Sequence, residues 1–402
     1  MFKKLFSMIM VVAMVFSLTA CSAKETSTDN TAATDVPSAA VTQAAGTTDS
    51  TDAAATTGLF APIAKDKIKV AVIHIGDPAS GAGYTYAHDQ GIVAMQKALG
   101  LSDDQIIRKN NVSDTDAVAI RTAMEEAIEE GANIIFGTSW GYMDTMEQLS
   151  AEYPKVVFAH CSGYKSNGSN FVNYFGRIYQ ARYLAGIAAG MKTQSDKIGF
   201  VAAMGIDNSE VTGGINAFAL GVESVNPDAK VYVKVTNTWY DPTLEQQAAE
   251  ALLDEGCDVI GQHADTTAPQ KAAEARGVWG CGYNSDMTKD APGAHLTAPI
   301  WNWGAYYTYA VQSLIDGTWT GENYYGGMAE GLVDISPLSA NCADGTQAAI
   351  DAAKQKILDG FKVFEGNIVD NQGNQICKDG ESISDADITG KMNWYYKNVV
   401  VE

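Results

Sequence analysis

The chain has 402 residues and a formal net charge of −21, with 48 acidic side chains against 27 basic ones. A surface this acidic repels nucleic-acid phosphates and anionic lipids, so neither is an expected partner, and an uncharged or cationic small molecule is favoured. The length is sufficient for two lobes with separate cores.

The first 20 residues have the pattern of a secretion signal. Lys3 and Lys4 precede an apolar run from Leu5 to Ala20, which ends at Cys21. This pattern resembles a bacterial lipoprotein signal, in which the cysteine after a small residue is acylated. We therefore predict a signal peptide at residues 1–20, lipidation at Cys21, and a location outside the cytoplasmic membrane, which the protein contacts through its lipid anchor only.

Residues 21–64 are predicted to be a disordered tether that begins at the lipidated cysteine. Thr, Ala, Ser and Asp dominate this stretch and leave little apolar surface to bury. A flexible chain of this length typically spans on the order of 30–35 Å. The globular part would therefore be held clear of the membrane surface.

Apolar β-branched runs alternate with helical patterns beyond the tether. The runs begin near residues 68, 106, 134 and 156, and a second series begins near residues 198, 231, 259 and 278. Helical patterns lie between them at about 84–99, 114–130 and 141–152, and then at about 208–225, 242–255 and 266–276. This near-repeat predicts an α/β fold of two lobes, each a mostly parallel sheet flanked by helices.

A helix at 179–192, rich in small side chains and too short to span a bilayer, connects the two series. Another helix is predicted near 304–316. Because the later segments must join sheets already formed, we predict several hinge crossovers, with lobe 1 at 65–177 plus about 288–325 and lobe 2 at 178–287 plus about 326–402. Lobes joined in this way enclose a cleft that closes on a small molecule.

Cysteine usage adds little to this picture. Five cysteines remain besides Cys21, and Cys342 with Cys377 is the one pair that we keep as a candidate disulfide. No C-x-x-C or His-rich spacing indicates a metal site, and no cofactor is expected.

The loops that follow the predicted strands are rich in aromatic rings and hydrogen-bond acceptors, and such loops meet at one edge of a parallel sheet. They contain Tyr84, Trp140, Tyr142, Trp239, Tyr240 and Tyr283, with Asp77, His160, Asp207, Asp241, His263, Asp265, Asn284 and Asp286. Stacking on an aromatic ring contributes about 1–3 kcal/mol per base, and an aspartate can accept a hydrogen bond from an exocyclic amine. A planar heterocycle uses this mixture better than a sugar, which needs more hydrogen-bonding side chains around its hydroxyls.

Two other classes of protein remain open at this stage. Gly137-Thr138-Ser139-Trp140-Gly141 fits the G-x-S-x-G nucleophile motif of α/β-hydrolases, with Asp265 and His295 later in the required order. However, only two predicted strands precede the one that leads into Ser139, and a repeat of two lobes has no place in a single hydrolase sheet. A surface adhesin or sensor without a transporter would share the other features.

Several motifs resemble the basic membrane protein family of solute receptors, which includes purine-nucleoside receptor lipoproteins. They are GYTYAHDQG at 83–91, GTSWGYMD at 137–144, YLAGIAAG at 183–190, GINAF at 214–218 and WYDP at 239–242. The resemblance covers about residues 66–335. It implies a fold like that of type I periplasmic binding proteins, a monomer, no enzymatic activity, and delivery of the ligand to the permease and ATPase subunits of an ABC importer.

The resemblance also implies roles for individual residues. Tyr84 and Thr85 match the positions that contact the base, Trp239 faces them from the second lobe, and Asn284 or Asp286 matches an acidic position that binds ribose. The family's ribose-binding lysine is missing, because Trp301-Asn302-Trp303 occupies its region. This departure favours a free base, adenine first, with a nucleoside as the alternative. The predicted ligand-binding residues are Tyr84, Thr85, Trp140, Trp239, Asp241, His263, Asp265, Asn284, Asp286, Trp301 and Trp303.

Overall fold

The computed structural model describes residues 58–401. The predicted signal peptide, the lipidation site at Cys21 and the tether up to residue 57 lie outside the described residues. Residues 58–64 were predicted to be disordered, and this is wrong. The amide of Gly58 donates to the Gly317 carbonyl (2.8 Å) and that of Ile63 to the Leu314 carbonyl (3.0 Å), so this segment is docked on the folded domain.

The first lobe opens with strands that alternate with helices. They are β1 (Val70–Ile73), α1 (Gly83–Leu99), β2 (Ile106–Lys109), α2 (Ala117–Glu129), β3 (Ile134–Gly137), α3 (Met143–Glu152), β4 (Val157–Cys161) and β5 (Phe171–Gly176). All four residues of β1 are buried, as are all four of β3. The apolar runs are continuous because helices cover both faces of a parallel sheet.

The second lobe repeats this alternation. It contains α4 (Ile178–Lys192), β6 (Lys197–Ala202), α5 (Ser209–Glu223), β7 (Lys230–Val235), α6 (Pro242–Asp254), β8 (Val259–His263), α7 (Ala268–Ala275), β9 (Trp279–Cys281) and β10 (His295–Thr297). The two predicted series of strands and helices are confirmed to within a few residues.

The remaining chain contributes to both lobes. Its elements are β11 (Pro299–Trp301), α8 (Gly304–Asp316), β12 (Tyr324–Gly326), β13 (Val333–Ile335), α9 (Thr346–Leu358), β14 (Ile368–Val369), β15 (Gln375–Cys377), α10 (Asp385–Gly390) and β16 (Val399–Val401). Within residues 58–401, no helix combines the length and the apolar character needed to cross a membrane.

The strands form two six-stranded sheets. Their orders are β12-β5-β4-β3-β1-β2 in lobe 1 and β10-β9-β8-β6-β7-β16 in lobe 2, and all neighbouring strands in both sheets are parallel. The chain passes between the sheets three times among the described residues: after β5, after β10 and after β12. The antiparallel pair β11–β13 lies along two of these crossings.

One predicted lobe boundary differs from the strand pairing. Residues from about 288 were assigned to lobe 1, but β10 pairs with β9 and therefore belongs to the sheet of lobe 2. The chain crosses only after Thr297, and α8 then packs on α1, where a Cβ added to Gly91 would overlap Trp303. The short buried strand β10 forms the edge of the lobe 2 sheet. The helical pattern that follows it in the sequence does not indicate which sheet this strand joins.

The candidate disulfide is absent. The Cys342 sulfur lies 3.5 Å from the Leu296 carbonyl oxygen, whereas Cys377 lies in the β14–β15 hairpin, and both are free thiols. The two cysteines lie in different segments of lobe 2. The presence of two remaining cysteines in the sequence therefore gave no guide to whether they pair.

Helices α4 and α5 approach each other closely at paired glycines. A Cβ at Gly186 would overlap the Phe218 carbonyl oxygen, and a Cβ at Gly221 would overlap the Tyr183 carbonyl oxygen. The small side chains of this helix thus allow the two backbones to pack closely. Because α4 follows the first crossing, this contact fixes the hinge to the body of lobe 2.

We expect Gly186→Ala to lower the free energy of unfolding by about 1–3 kcal/mol, because the methyl group must push the two backbones apart. Gly213→Ala on α5 is the matched control, since its Cβ would meet no atom closer than 3.5 Å. A gain of up to about 1 kcal/mol is expected there from helix propensity. Urea unfolding of both variants tests the contrast, and equal effects would contradict it.

Candidate functional site

The carboxyl ends of both sheets enclose a cavity of about 470 Å³. Lobe 1 and lobe 2 both line it, through Ile75, Tyr84, Asp114, Thr115, Ser139, Trp140, Gly141, Ser162 and Phe175 on one side and Asn208, Glu210, Trp239, Asp265 and Tyr283 on the other. The volume is within the range of small-molecule sites, and the position is where open α/β sheets bind their ligands.

Aromatic rings form much of the cavity wall. Tyr84, in the first turn of α1, faces it from lobe 1, and Trp239 and Tyr283 face it from lobe 2. The Tyr283 ring lies 3.8 Å from the buried guanidinium of Arg182, and its hydroxyl accepts from Trp301 Nε1 at 3.4 Å. Tyr283 is therefore held in place by contacts with Arg182 and Trp301 while it lines the cavity.

Two carboxyl groups of lobe 2 face the same space. Asp265 follows β8, and its Oδ1 accepts from Asn284 Nδ2 at 2.8 Å. Glu210 lies in the first turn of α5, with Oε1 3.5 Å from His263 Nε2. Burial raises the pKa of each carboxyl to about 7, and burial also lowers the pKa of His263, which stays neutral. Burial therefore favours the protonated form of both acids, compared with an exposed carboxyl group.

In the part of the chain that the structure describes, the ionisable carboxyl groups of the cavity lining have no basic side chain beside them in that lining. Asp114 adds a third carboxyl from lobe 1, where its Oδ2 accepts from the Ser139 hydroxyl at 2.6 Å. Among the described residues, the lining includes no Lys or Arg side chain. Such a site can accept hydrogen bonds from N–H groups but offers no cation to a phosphate.

The predicted residues fall into three positions. Those that line the cavity are Tyr84, Trp140, Trp239 and Asp265. Those that lie next to the lining are Thr85, His263, Asn284, Trp301 and Trp303, of which His263 and Trp303 are fully buried. Trp301 stacks on Trp303 at 4.3 Å and meets Phe175 at 5.0 Å, so the two indoles support the wall from behind.

Asp241 and Asp286 lie away from the cavity lining. The Asp241 carboxylate caps α6 by accepting from the amides of Thr243 (2.9 Å) and Leu244 (3.0 Å). Asp286 accepts from the amide and the hydroxyl of Thr288 (2.8 and 2.6 Å). Both side chains order loops that carry lining or supporting residues.

Sequence reasoning did not single out several lining residues. Asp114, Ser162, Asn208 and Glu210 all fall inside the strand-end loops that the repeat defines, so position was the available signal. Phe175 was missed for another reason. It is the penultimate residue of β5, a strand interrupted by the polar Asn173 and preceded by a loop of Gly, Ser and Asn residues, and no strand was predicted there.

The residues of the hydrolase motif do not form a triad. Ser139 caps a short turn: its oxygen accepts from the Gly141 amide at 3.2 Å while its hydroxyl donates to Asp114. The proposed histidine, His295, is fully buried in lobe 2, where its Nε2 lies 3.2 Å from the Ser336 hydroxyl. His295 therefore does not act as a general base for Ser139.

Solved structures share this architecture. A solute-binding protein of an ABC transporter from Conexibacter woesei superimposes with a TM-score of 0.62 at 21% identity, over 73% of this chain and 97% of that one. A solute-binding protein from Aeropyrum pernix gives a TM-score of 0.61 at 18% identity, over 73% and 92%. These likenesses show the fold: a two-lobed, periplasmic-binding-protein-like architecture with a cavity at the strand ends.

Relatives in sequence define the family. The family model described as ABC transporter substrate-binding protein PnrA-like (Bmp) matches residues 67–366. A purine-binding protein of Brucella abortus is 37% identical over 337 residues, 84% of this chain and 94% of the relative. A Haloferax volcanii protein, provisionally named as the glucose-binding protein of an ABC transporter, is 36% identical over 307 residues, 76% and 75%.

This chain belongs to the Bmp family of ABC transporter substrate-binding proteins. It is an extracytoplasmic solute receptor that delivers a small molecule to an ABC importer, and it is not an enzyme.

The stability of the ligand-free protein should fall between about pH 4 and pH 7. The folded pKa values of Glu210 and Asp265 are about 7, above the ordinary 4.5 and 3.8, so the folded form binds these protons more tightly. That stabilisation is complete below about pH 4 and is lost as the pH rises through 7. We expect a loss on the order of 2 kcal/mol for each carboxyl group.

Thermal unfolding of Glu210→Gln tests this expectation. The amide cannot ionise, so the pH dependence should be shallower than in the wild type. Glu129→Gln, at an exposed position of α2, is the matched control and should follow the wild-type curve. Identical curves for all three proteins would contradict the assignment.

Proposed function

We propose that the protein captures a purine in the interlobe cavity, adenine first and other free nucleobases next, and delivers it to the permease and ATPase subunits of an ABC importer. The observation that supports this most is the combination, in one cavity, of aromatic walls with the half-buried carboxyl groups of Glu210 and Asp265, whose pKa is raised by burial. Tyr84 faces the rings of Trp239 and Tyr283 across the two lobes. A flat base between them gains stacking energy on both faces.

The raised pKa of the two carboxyl groups supports adenine, because it makes their neutral form accessible near neutral pH. A neutral carboxyl group has one O–H donor and a carbonyl acceptor. Adenine presents an exocyclic amine beside a ring nitrogen that accepts, so a neutral Glu210 or Asp265 can form two hydrogen bonds with that edge. An ionised carboxylate accepts only, and would suit the N1–H and amine donors of guanine.

The lack of a cation in the described lining disfavours nucleotides, because a buried phosphate needs a positive partner. The Brucella relative's name supports purine binding. The Haloferax relative's name gives glucose instead. A sugar would find rings to pack on, but it needs hydrogen-bonding side chains around each hydroxyl, and much of this wall is aromatic.

In this proposal Tyr84, Trp140, Trp239 and Asp265 contact the base. Thr85, His263, Asn284, Trp301 and Trp303 hold those residues in place, and Asp241 and Asp286 order the loops that carry Trp239 and Asn284. The region of the family's ribose-binding lysine is occupied by buried Trp301 and Trp303, which ranks free bases before nucleosides.

The proposal includes a membrane anchor. Acylation of Cys21 and a tether reaching to residue 57 would hold a monomeric receptor at the outer face of the cytoplasmic membrane, beside its importer. Both features lie outside the described residues and rest on the sequence pattern alone. Mass spectrometry of the protein isolated from membranes, before and after Cys21→Ser, tests the acylation.

A thermal-shift panel tests the ligand class. Adenine at about a hundred times its dissociation constant should raise the free energy of unfolding by about 2.7 kcal/mol. Guanine and hypoxanthine should follow, and adenosine monophosphate, ribose and glucose should give no shift. No response to any purine would remove the proposal, and a response to glucose alone would replace it.

Trp239→Ala extends the panel, because loss of one stacking face should weaken adenine binding at least tenfold. Trp279→Ala is the control, since Trp279 lies on β9 away from the cavity, against Lys192. Equal losses in the two variants would indicate a general destabilisation.

The two lobes are in contact at the rim of the cavity. Lys289 Nζ of lobe 2 donates to the Gly81 carbonyl of lobe 1 at 3.0 Å. A Cβ at Gly83 would overlap the carbonyl oxygen of Asp265 across the cleft. Glycine at 83 thus permits the close approach that seals the ligand from water.

Gly83→Ala should therefore weaken adenine binding tenfold or more, because the added methyl group keeps the lobes apart. Gly81→Ala is the matched control: both residues have positive φ (+83° and +74°), but a Cβ at 81 meets only the flexible end of Lys289 at 3.5 Å. Isothermal titration of both variants separates closure from backbone strain. A larger loss in Gly81→Ala would show that closure is not limiting.

A further inference from the structure

A buried carboxyl group lies behind the lobe 2 wall of the cavity. Glu245 is in the first turn of α6 and is fully buried, outside the cavity lining. Removing a carboxylate from water is costly unless hydrogen-bond donors replace the water. The donors that surround Glu245 therefore indicate what its burial achieves.

Three donors from two loops surround this carboxyl group. Its Oε1 accepts from the Asp241 amide at 3.2 Å, in the loop that carries Trp239. Its Oε2 accepts from the amide (3.1 Å) and the hydroxyl (2.6 Å) of Thr266, the residue after Asp265. One side chain thus joins the two lobe 2 loops that present Trp239 and Asp265 to the cavity.

The same two loops are also bonded to each other and supported from the sheet. The Asp265 amide donates to the Trp239 carbonyl at 3.0 Å. The buried Gln262, on β8, donates through its Nε2 to the carbonyls of residues 264 and 266, each at 2.8 Å. A Cβ at Gly83 would overlap the Asp265 carbonyl oxygen, so the loop that Glu245 holds is also one that lobe 1 approaches closely.

Glu245 also affects the charge of Asp265. Burial is the main cause of the rise in the pKa of Asp265 to about 7, and the hydrogen bond from Asn284 opposes that rise. The negative charges of Glu245 and Glu210 add to it, and the positive charge of Arg182 opposes it. Removing the charge of Glu245 should therefore lower the pKa of Asp265.

The form of Glu245 that suits this arrangement is the carboxylate. Burial raises the pKa of Glu245, the hydrogen bonds from Thr266 and from the Asp241 amide lower it, and the charge of Asp241 raises it. A carboxylate has two accepting oxygens, one for each loop, whereas a glutamine amide has one accepting oxygen and one donating NH₂ group. Glutamine at this position would therefore release one of the two loops.

We propose that Glu245 is a positioning residue for ligand binding, which holds Trp239 and Asp265 in the relative position in which both contact the base. This inference rests on the proposed purine-binding function. A helix cap alone would account for the bond from the Asp241 amide, but not for the two bonds from Thr266. Glu245 itself acts without touching the ligand.

Isothermal titration with adenine between pH 5 and pH 8 tests the positioning role. The wild-type affinity should fall as the pH rises through about 7, because Asp265 then loses the proton that it donates to the base. Glu245→Gln should lower the affinity at pH 7 by about tenfold or more. It should also displace the fall to lower pH, because the pKa of Asp265 is lower without the charge of Glu245.

Glu250→Gln is the matched control, with the same exchange on the same helix. The Glu250 carboxylate accepts from Gln246 Nε2 at 2.7 Å at the surface of α6. The affinity for adenine should stay within about twofold of the wild type, and the pH profile should keep its midpoint.

Thr266→Val removes the hydroxyl donor and leaves the charge of Glu245 in place. It should lower the affinity for adenine about fivefold without displacing the pH profile. Thr266→Ser keeps a hydroxyl at the same position and should recover most of that loss. Thermal unfolding of each variant without ligand confirms that it folds.

The outcomes separate this inference from the proposed function. Wild-type affinity and an undisplaced pH profile in Glu245→Gln would overturn the positioning role. A loss in Glu245→Gln that is equal at every pH would mean a structural role only, and would overturn it as well. In both cases adenine binding by the wild type leaves the purine function intact, whereas absence of purine binding by the wild type would overturn the function and the inference together.

Discussion

Parallel strand pairing is the constraint on which the rest of this protein depends. Every strand of a parallel sheet ends at the same edge, so each loop after a strand brings its side chains to one place. Two such sheets facing one another gather residues as distant in sequence as Tyr84, Glu210 and Asp265 around one cavity. The buried strands are mostly apolar. They determine the site because their common direction brings the loops that follow them to one edge of each sheet.

The second determinant is the burial of acidic groups without a neighbouring cation in the cavity wall. Removing Glu210 and Asp265 from water raises the pKa of each to about 7. Arg182 is buried nearby under the Tyr283 ring, where it favours the ionised form of Glu210 but does not restore the ordinary pKa. A ligand that hydrogen-bonds to these acids recovers interactions that water would otherwise supply.

Much of the fold was legible in the sequence, because strands buried on both faces must be continuous apolar runs and helices between them must have one apolar face. The failures have local causes. β5 contains the polar Asn173 and was not predicted, and β10 is too short to show which sheet it joins. For the site, the repeat gave the correct loops, but choosing Glu210 over Asp241 within them required knowing which carboxylate caps its helix and which faces the cavity.

Gly58 and Ile63 dock on the end of α8, which fixes the place where the upstream chain joins the folded domain. Their partners, the carbonyls of Gly317 and Leu314, belong to the lobe that contains α1, and the Trp319 indole beside them donates to Ser169 of the same lobe at 2.7 Å. A tether upstream of Gly58 would therefore be attached to lobe 1. Among the described residues, lobe 2 is linked covalently to this attachment point only through the three crossings between the sheets.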